Sequence, residues 1–324
     1  MIKTRLTERF NLDHPIIQAP MALAAGGALA SSISRAGGLG LIGGAYGVSE
    51  WLTEQFDLAG SQQVGCGLIT WSLAKQPELL ELVLSRQPSA LFLSFGDPAP
   101  FVQQIRDSNT PLICQVQTVK DARHAIEVGA DVVVAQGAEA GGHGESRATM
   151  TLVPEVADLI AKKSSETLLC AAGGIADGRG LAAALMLGAD GVLIGSRFWA
   201  TAEALVHPNM LDAALEADGD VTIRSSVMDI ARLLEWPKRY TARVLKNDFT
   251  GQWHHAQNEL MQSQATEAAR WKQAWVEGDV TTANTFVGEA TGLINSIEPA
   301  ADILQKISQQ AEALLSRFPT PNSS

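Results

Sequence analysis

VVVAQGAEAGGHGE, residues 132–145, joins a short apolar run to a glycine-rich segment with a single histidine. Residues 132–135 have the length and the β-branched content of a buried strand, and the run stops at Gln136 and Gly137. The glycines that follow let the backbone adopt positive φ and approach a ligand closely. Where strands alternate with helices, ligands and catalytic groups collect after the carboxyl ends of the strands. The pattern therefore predicts a parallel α/β fold with His143 in a functional loop rather than as a mere packing residue.

Seven further apolar runs have the character of buried strands. They lie at 15–18, 39–42, 64–69, 90–93, 112–116, 167–171 and 191–194, with helices predicted at 28–36, 50–58, 77–85, 99–107, 119–128, 154–163 and 178–187. The segments VGAD (128–131) and LGAD (187–190) are nearly identical, and each connects the end of a predicted helix to the next predicted strand. The two copies lie two strand-helix units apart. Eight such units predict a TIM (β/α)8 barrel. The alternative is a doubly wound open sheet, but AAGG (24–27) lacks the GxGxxG spacing that its first turn should carry.

The composition is typical of a globular protein that acts on small molecules. The 324 residues suffice for one barrel of about 250 residues with an appendage. Hydrophobic residues make up 46% and charged residues 18%, and the net charge of −11 opposes nucleic acid and anionic membranes as partners. The charged N-terminus does not resemble a secretory signal, and no run approaches the ~18 apolar residues of a membrane span. A cytoplasmic location is therefore expected, whereas nothing indicates the oligomeric state.

The pattern changes after the eighth strand. We assign residues 1–205 to the barrel, 206–290 to a smaller, mainly helical domain at its mouth, 291–318 to a terminal helix that returns to the barrel, and 319–324 to a disordered tail. The smaller domain contains Trp236, Trp253, Trp271 and Trp275, which are expected to pack in its core. Its basic residues Lys238, Arg239, Arg243 and Lys246 are expected to form a solvated face.

The cysteines do not have the spacing of a metal site. Cys66, Cys114 and Cys170 each lie in or beside a strand-like run, which predicts buried thiols. The pair His254 and His255 has no accompanying HExxH motif or carboxylate cluster. No metal is therefore expected.

Two loops have the composition of a phosphate site. AGGIADG (172–178) follows the seventh strand and GSR (195–197) follows the eighth. These are the loops that commonly bind phosphate in TIM barrels, because glycine N–H groups and helix N-termini favour an anion. A phosphate site beside a reactive histidine loop suits a phosphorylated cofactor with a flat ring, and flavin mononucleotide (FMN) fits best.

Seven segments in order carry a family resemblance: QAPM (18–21), AGGLGLIGG (36–44), SFGDP (94–98), CQVQTV (114–119), QGAEAGGHG (136–144), AAGGIADGRG (171–180) and LIGSRF (193–198). Together they resemble the nitronate monooxygenase family, formerly called 2-nitropropane dioxygenases, and GEATGLI (288–294) is similar to that family's C-terminal part. FMN-dependent enoyl-ACP reductases and NAD(P)H:quinone reductases are also similar, including the histidine loop.

The resemblance implies a set of site residues. His143 would be the catalytic acid/base. FMN would contact Ala19, Pro20, Met21, Gln136, Gly141 and Gly142, with its phosphate held by Gly173, Gly174, Gly195 and Ser196. Two positions near the flavin depart from the pattern: many relatives have Asn where this chain has Gly67, and some have Lys where it has Gln115. Gln115 can still hydrogen-bond the flavin, but it supplies no positive charge.

The reaction implied is oxidation of an alkyl nitronate by FMN, with O2 then giving a carbonyl compound and nitrite. A neutral nitroalkane would first lose its α-proton to an imidazole that titrates near neutrality. In the alternative reaction, NAD(P)H reduces FMN and a quinone or an enoyl thioester accepts the hydride. A non-catalytic flavin-binding module and a flavin-free barrel acting on a phosphorylated metabolite are the remaining alternatives.

Overall fold

Eight parallel strands form a barrel in the computed structural model, which describes residues 2–317. The barrel strands are β1 (Ile16–Gln18), β2 (Leu41–Gly43), β3 (Gly65–Ile69), β4 (Leu91–Ser94), β5 (Leu112–Val116), β6 (Val132–Gln136), β8 (Leu168–Ala172) and β9 (Gly191–Ile194). A further strand, β7 (Gly142–Gly144), lies outside the barrel. A bridge between Ile17 and Leu39 joins β1 to the residues before β2 and closes the ring. The predicted TIM barrel is confirmed, with each strand within two residues of its predicted position.

The barrel strands are apolar on both faces because both faces are buried. In β6, Val132 and Val134 pack in the barrel interior, whereas Val133 and Ala135 pack beneath the surrounding helices. Leu6, from a short N-terminal helix, belongs to the interior cluster. This two-sided burial is why the strands have near-continuous apolar runs instead of alternating ones.

Helices surround the barrel: α1 (Arg5–Phe10), α2 (Gly27–Arg35), α3 (Ser49–Ala59), α4 (Thr70–Leu73), α5 (Glu78–Ser85), α6 (Val102–Asp107), α7 (Val119–Glu127), α8 (Thr149–Lys163), α9 (Gly178–Met186) and α10 (Ser196–Trp199). The predicted start of α8 at residue 154 is wrong. The helix begins at Thr149, because the Glu139 carboxylate accepts hydrogen bonds from the Thr149 N–H at 3.0 and 3.1 Å and satisfies the helix end. Pro154 then lies inside the helix.

The segment after the barrel, which we call the cap (residues 208–287), contains helices and two strands. Its helices are α11 (Pro208–Glu216), α12 (Val227–Ala231), α13 (Asp248–Trp253), α14 (Gln257–Gln262) and α15 (Gln264–Glu277), and its strands are β10 (Thr222–Ser225) and β11 (Thr241–Leu245). The strands were not foreseen from the sequence. With β7 they form an antiparallel sheet in the order β10-β11-β7, so the cap is hydrogen-bonded to the segment that contains His143.

The chain then returns to the barrel. Helix α16 (Ala300–Leu315) packs against α2 and α9 and buries Ile303, Leu304 and Ile307 against them. The assignment of residues 206–290 and 291–318 to separate units stays a prediction. The tail predicted at 319–324 lies outside the described residues.

The three cysteines are buried free thiols, as predicted. Burial raises the pKa of Cys66 and of Cys114 to about 12, so these thiols are not poised to react as thiolates. Within residues 2–317 no helix is both long and apolar enough to cross a membrane. The same residues contain no group of three or more His, Cys, Asp or Glu side chains placed to hold a metal ion.

Gly27 of α2 packs directly against the backbone of α3, and it provides a test of the packing around the barrel. A Cβ at Gly27 would lie 2.0 Å from the Gln55 carbonyl oxygen, whereas a Cβ at Gly251 in α13 would meet nothing within 4 Å. We expect Gly27→Ala to lower the free energy of unfolding by about 1–3 kcal/mol through overpacking. Gly251→Ala should raise it by roughly 0.5–1 kcal/mol, because alanine is the better helix former. Urea denaturation measures both, and equal stability of the two variants would contradict this packing.

Candidate active site

A cavity of about 380 Å³ opens at the carboxyl ends of the barrel strands, beneath the cap. Its volume falls in the range of roughly 300–1,000 Å³ that is usual for small-molecule sites. All the site residues predicted from the sequence line it: Ala19, Pro20, Met21, Gly67, Gln115, Gln136, Gly141, Gly142, His143, Gly173, Gly174, Gly195 and Ser196. The fold thus brings the predicted set together, while their roles in binding stay predictions.

The loops after β8 and β9 form a cradle that suits a phosphate. Gly173 and Gly174 have φ values of +105° and +72°, which L side chains rarely adopt. Within residues 2–317, the backbone N–H groups of Gly174, Gly195 and Ser196 donate to no protein acceptor. A Cβ at Gly195 would find no atom nearer than 3.8 Å. Free N–H groups around open space at a helix start fit the phosphate of FMN.

Gly67 and Gln115, the two positions that depart from the family pattern, both contact neighbouring residues of the barrel. A Cβ at Gly67 would lie 2.3 Å from the Cβ and Cγ atoms of Pro20, so the absence of a side chain on β3 lets Pro20 pack against the barrel. Gln115 on β5 donates to the Gln136 Oε1 at 3.2 Å. Compared with the family pattern, the cavity wall therefore lacks a polar side chain at Gly67, where Pro20 fills the space, and lacks a positive charge at Gln115, which remains polar.

A hydrogen-bonded glutamine and a strand fix the position of His143. Gln136, at the end of β6, donates from Nε2 to the His143 carbonyl oxygen at 3.0 Å, and its Oε1 also accepts from Gln117 at 2.8 Å. The prediction of an irregular loop here is wrong in part, because Gly142–Gly144 pairs with β11 and places His143 opposite Ala242. The three-residue strand is too short to give an alternating pattern that the sequence could reveal.

Two arginines of the cap, Arg243 buried and Arg224 half-buried, support the same segment. Arg224 on β10 and Arg243 on β11 both donate to the Ala138 carbonyl oxygen, at 3.1 and 2.9 Å. Burial lowers the pKa of Arg224 to about 10, and the neighbouring Arg243 adds to that shift. The prediction that Arg243 lies on a solvated face is therefore wrong: β11 directs it beneath the loop, where Glu289 pairs with it at 2.7 Å.

The imidazole of His143 is paired with a buried carboxylate. Its Nε2 lies 3.0 and 2.9 Å from the two carboxylate oxygens of Asp229, on α12. Asp229 is 2% exposed and His143 is 9% exposed. Because a carboxylate only accepts hydrogen bonds, neutral His143 carries its proton on Nε2 and has its lone pair on Nδ1. Nδ1 makes no hydrogen bond to any described residue, so it is free to act as a base.

Burial lowers the pKa of His143, and the hydrogen bond to Asp229 partly opposes that effect. The imidazole is therefore neutral at neutral pH, and Asp229 increases its basicity. Of the two glutamates in the loop, Glu139 caps α8 and Glu145 pairs with Arg239. Neither tunes the imidazole directly.

Trp236 covers the histidine. The two rings are stacked, with centroids 3.4 Å apart and planes within 5°, and the Trp236 Nε1 donates to the Tyr46 hydroxyl at 3.1 Å. Phe95 contacts both rings from the edge. The expectation that the cap tryptophans only pack in a core is wrong for Trp236, which lines the cavity, as do Trp271 and Trp275. Aromatic walls exclude water from the base.

Three functional candidates escaped the sequence reasoning: Asp229, Arg232 and Trp236. All three lie in the segment SSVMDIARLLEW (225–236). The one usable signal was an acid inside an apolar helix, because a carboxylate that must be buried needs a partner. The sequence does not identify that partner, since His143 and Asp229 are 86 residues apart.

Comparison with known proteins agrees with this geometry. The family model described as nitronate monooxygenase matches residues 3–59 and 69–310. A nitronate monooxygenase of Neurospora crassa is 32% identical, over 94% of this chain and 90% of its own length. A 5-hydroxy-7a-methyl-1-oxo-octahydro-1H-indene-4-carboxyl-CoA dehydrogenase of Mycobacterium tuberculosis is 31% identical, over 70% of this chain and 64% of its own. Among solved structures, FabK from Thermotoga maritima superposes with a TM-score of 0.86 at 30% identity, covering 98% of each chain.

The barrel, its cavity and these relatives define a flavin-dependent oxidoreductase. More narrowly, the chain belongs to the nitronate monooxygenase family, whose model matches most of its length.

The contribution of Asp229 can be measured without an assay of activity. In Asp229→Asn the carboxamide can still accept the Nε2 hydrogen bond, but the negative charge that raises the pKa of His143 is lost. We expect the pKa of His143, followed by NMR of labelled histidine, to fall below its wild-type value. Asp212→Asn, an exposed charge change in α11, is the control and should leave it unchanged. A His143 pKa that is the same in all three proteins would contradict the pairing.

Proposed function

We propose that this protein oxidises alkyl nitronates, and nitroalkanes after their deprotonation, with bound FMN and O2, to a carbonyl compound and nitrite. The observation that carries the proposal is the buried pair of His143 and Asp229 in a cavity lined by every predicted cofactor residue. Membership of the nitronate monooxygenase family supports it.

FMN suits the cavity. The N–H groups of Gly174, Gly195 and Ser196 would hold its phosphate, and the segments 19–21 and 141–142 would hold the remainder. When bound, FMN would supply the electron acceptor and the reactivity toward O2 that the side chains lack.

The side chains provide the proton chemistry. A nitronate is already a carbanion equivalent and needs positioning more than acid/base help. A nitroalkane must first lose its α-proton, and Nδ1 of His143 is the available base. The Asp229 carboxylate then stabilises the imidazolium that forms, as a positioning residue that touches no substrate. Trp236 and Phe95 keep water from competing for the base.

A second candidate is an NAD(P)H-dependent reductase that acts on an enoyl thioester or a quinone. The relative named as a carboxyl-CoA dehydrogenase supports only the thioester part of this candidate, because the substrate in its name is a CoA thioester. In that case NAD(P)H would enter the same cavity, and His143 would first be protonated on Nδ1 and would then donate that proton rather than accept one. Flavin reduction by NADH or NADPH distinguishes the two functions.

Substitution of His143 tests the proposed base. We expect His143→Asn to lower kcat/KM for nitroethane by about 10²- to 10⁴-fold, the usual contribution of a general base. Turnover of ethyl nitronate, which needs no deprotonation, should fall by less than about tenfold. Nitrite release measures both, and FMN absorbance at full occupancy shows that the site is intact.

Comparison of nitroethane with ethyl nitronate in the same variant separates loss of the base from general damage to the site. Asparagine retains a polar side chain beside Asp229, which limits the cost of leaving that carboxylate unpaired. Equal losses for nitroethane and ethyl nitronate would contradict the role of His143 as the base, and unchanged turnover of both would exclude it from the reaction.

The phosphate cradle is tested at Gly195. In Gly195→Leu the added side chain would occupy the open space beside the free N–H groups, so we expect the Kd for FMN to rise at least about tenfold. The stability of the apoprotein should change little, since no atom lies within 3.8 Å of the new Cβ. Gly251→Leu, which also meets open space, is the control. Unaltered FMN affinity, measured by flavin fluorescence, would place the phosphate elsewhere.

A further inference from the structure

The cavity contains a cation that the proposed proton chemistry does not use. Arg232 follows α12 by one residue, and it is the only Arg or Lys among the described residues that line the cavity. Its side chain is 16% exposed. A largely desolvated guanidinium is costly unless a counter-charge or a ligand compensates it.

The positive charge of Arg232 has only a distant carboxylate partner in the protein. The carboxylate nearest to Arg232 within residues 2–317 is Asp229, with Oδ1 at 4.0 Å from Nη1, and that carboxylate is already engaged by His143 Nε2. The Tyr46 hydroxyl is another polar neighbour of the guanidinium. A guanidinium has five N–H groups, so donors remain for a ligand.

Aromatic rings hold the guanidinium in place. Its central carbon lies 5.4, 5.7 and 5.6 Å from the ring centroids of Tyr46, Trp271 and Phe286, all of which line the cavity. Rings at these distances stabilise a cation without using its N–H groups. The head group is therefore oriented yet still able to bind a partner.

We propose that Arg232 is a substrate-recognition residue that binds a planar, two-oxygen anionic group, a nitronate or a carboxylate. The guanidinium forms two parallel hydrogen bonds to such a group, which a neutral amide or a nitroalkane cannot match in charge. Asp229 lies near both Arg232 and His143, which places this group at the His143 end of the cavity. Oxidation of a nitronate bound at Arg232 rests on the proposed function. Binding of an anion by Arg232 does not depend on that function.

Binding of an unreactive anion tests the site directly. Titration calorimetry of the flavin-loaded protein would compare propionate with propionamide, which has the same shape and no charge. We expect wild type to prefer propionate, and Arg232→Gln to bind it about tenfold or more weakly while propionamide is unaffected. Arg232→Lys keeps the charge but not the paired donors, and should be intermediate.

Arg147→Gln is the matched control, because Arg147 is an exposed arginine paired with Glu155 outside the cavity. It should bind propionate as wild type does. Thermal melting verifies that each variant is folded, and Arg232→Lys supplies the comparison if Arg232→Gln is not. Propionate affinity that is unchanged on loss of Arg232, or a wild type that does not distinguish propionate from propionamide, would overturn the proposal.

Steady-state kinetics with two substrates would show whether Arg232 binds the reacting nitronate or a separate carboxylate of the substrate. Ethyl nitronate has one anionic group, whereas propionate 3-nitronate has a carboxylate as well. If Arg232 binds the reacting nitronate, Arg232→Gln raises KM for both substrates; if it binds a remote carboxylate, KM rises for propionate 3-nitronate alone. Unchanged KM for both would contradict recognition of substrate. A protein that binds propionate through Arg232 yet oxidises neither nitronate would retain this site and lose the proposed function.

Discussion

The hydrogen bonds from His143 Nε2 to the two oxygens of Asp229 join the barrel to the cap inside the cavity. His143 belongs to the segment that follows β6, and Asp229 belongs to α12 of the cap. The Asp229 carboxylate is not stable alone at this depth, since a buried carboxylate without a partner costs several kcal/mol. The pair therefore requires the cap to be seated on the barrel, and the antiparallel pairing of β7 with β11 holds it there. A seated cap covers the cavity, so the same contact that orients the His143 imidazole also limits the access of water to it.

The charges around this pair are nearly balanced before substrate binds. Arg232 is positive, Asp229 is negative, and burial lowers the pKa of His143 so that its imidazole is neutral. Removal of a proton from a nitroalkane creates an anion and an imidazolium together, which keeps the site balanced. Binding of a preformed nitronate adds one negative charge and leaves the site with a net charge of −1, and Arg232 is the cation beside it. One set of groups thus suits both forms of the proposed substrate. Glu139 also lines the cavity, but its carboxylate caps α8.

The barrel and the residues that line the cavity at the ends of its strands were predictable because their signals are local. A strand buried on both faces, such as Val132–Gln136, is a continuous apolar run, and a turn that needs positive φ, such as Gly173-Gly174, has glycine. The cap was harder to predict from the sequence, because its structure depends on contacts between segments that are distant in the chain. Asp229 is an ordinary helical acid in the sequence and becomes a partner of His143 only once β11 pairs with β7. Trp236 likewise reads as a core residue until the fold stacks it on the imidazole.

Absorbance of the bound flavin under anaerobic conditions shows whether a nitronate or a pyridine nucleotide donates electrons to it. The purified protein would be mixed separately with propionate 3-nitronate, with NADH and with NADPH. If the protein oxidises nitronates, the nitronate alone should bleach the flavin band or give semiquinone absorbance, and both pyridine nucleotides should leave it unchanged. Reduction by NADH or NADPH with no response to the nitronate would contradict the account and assign this cavity to a reductase.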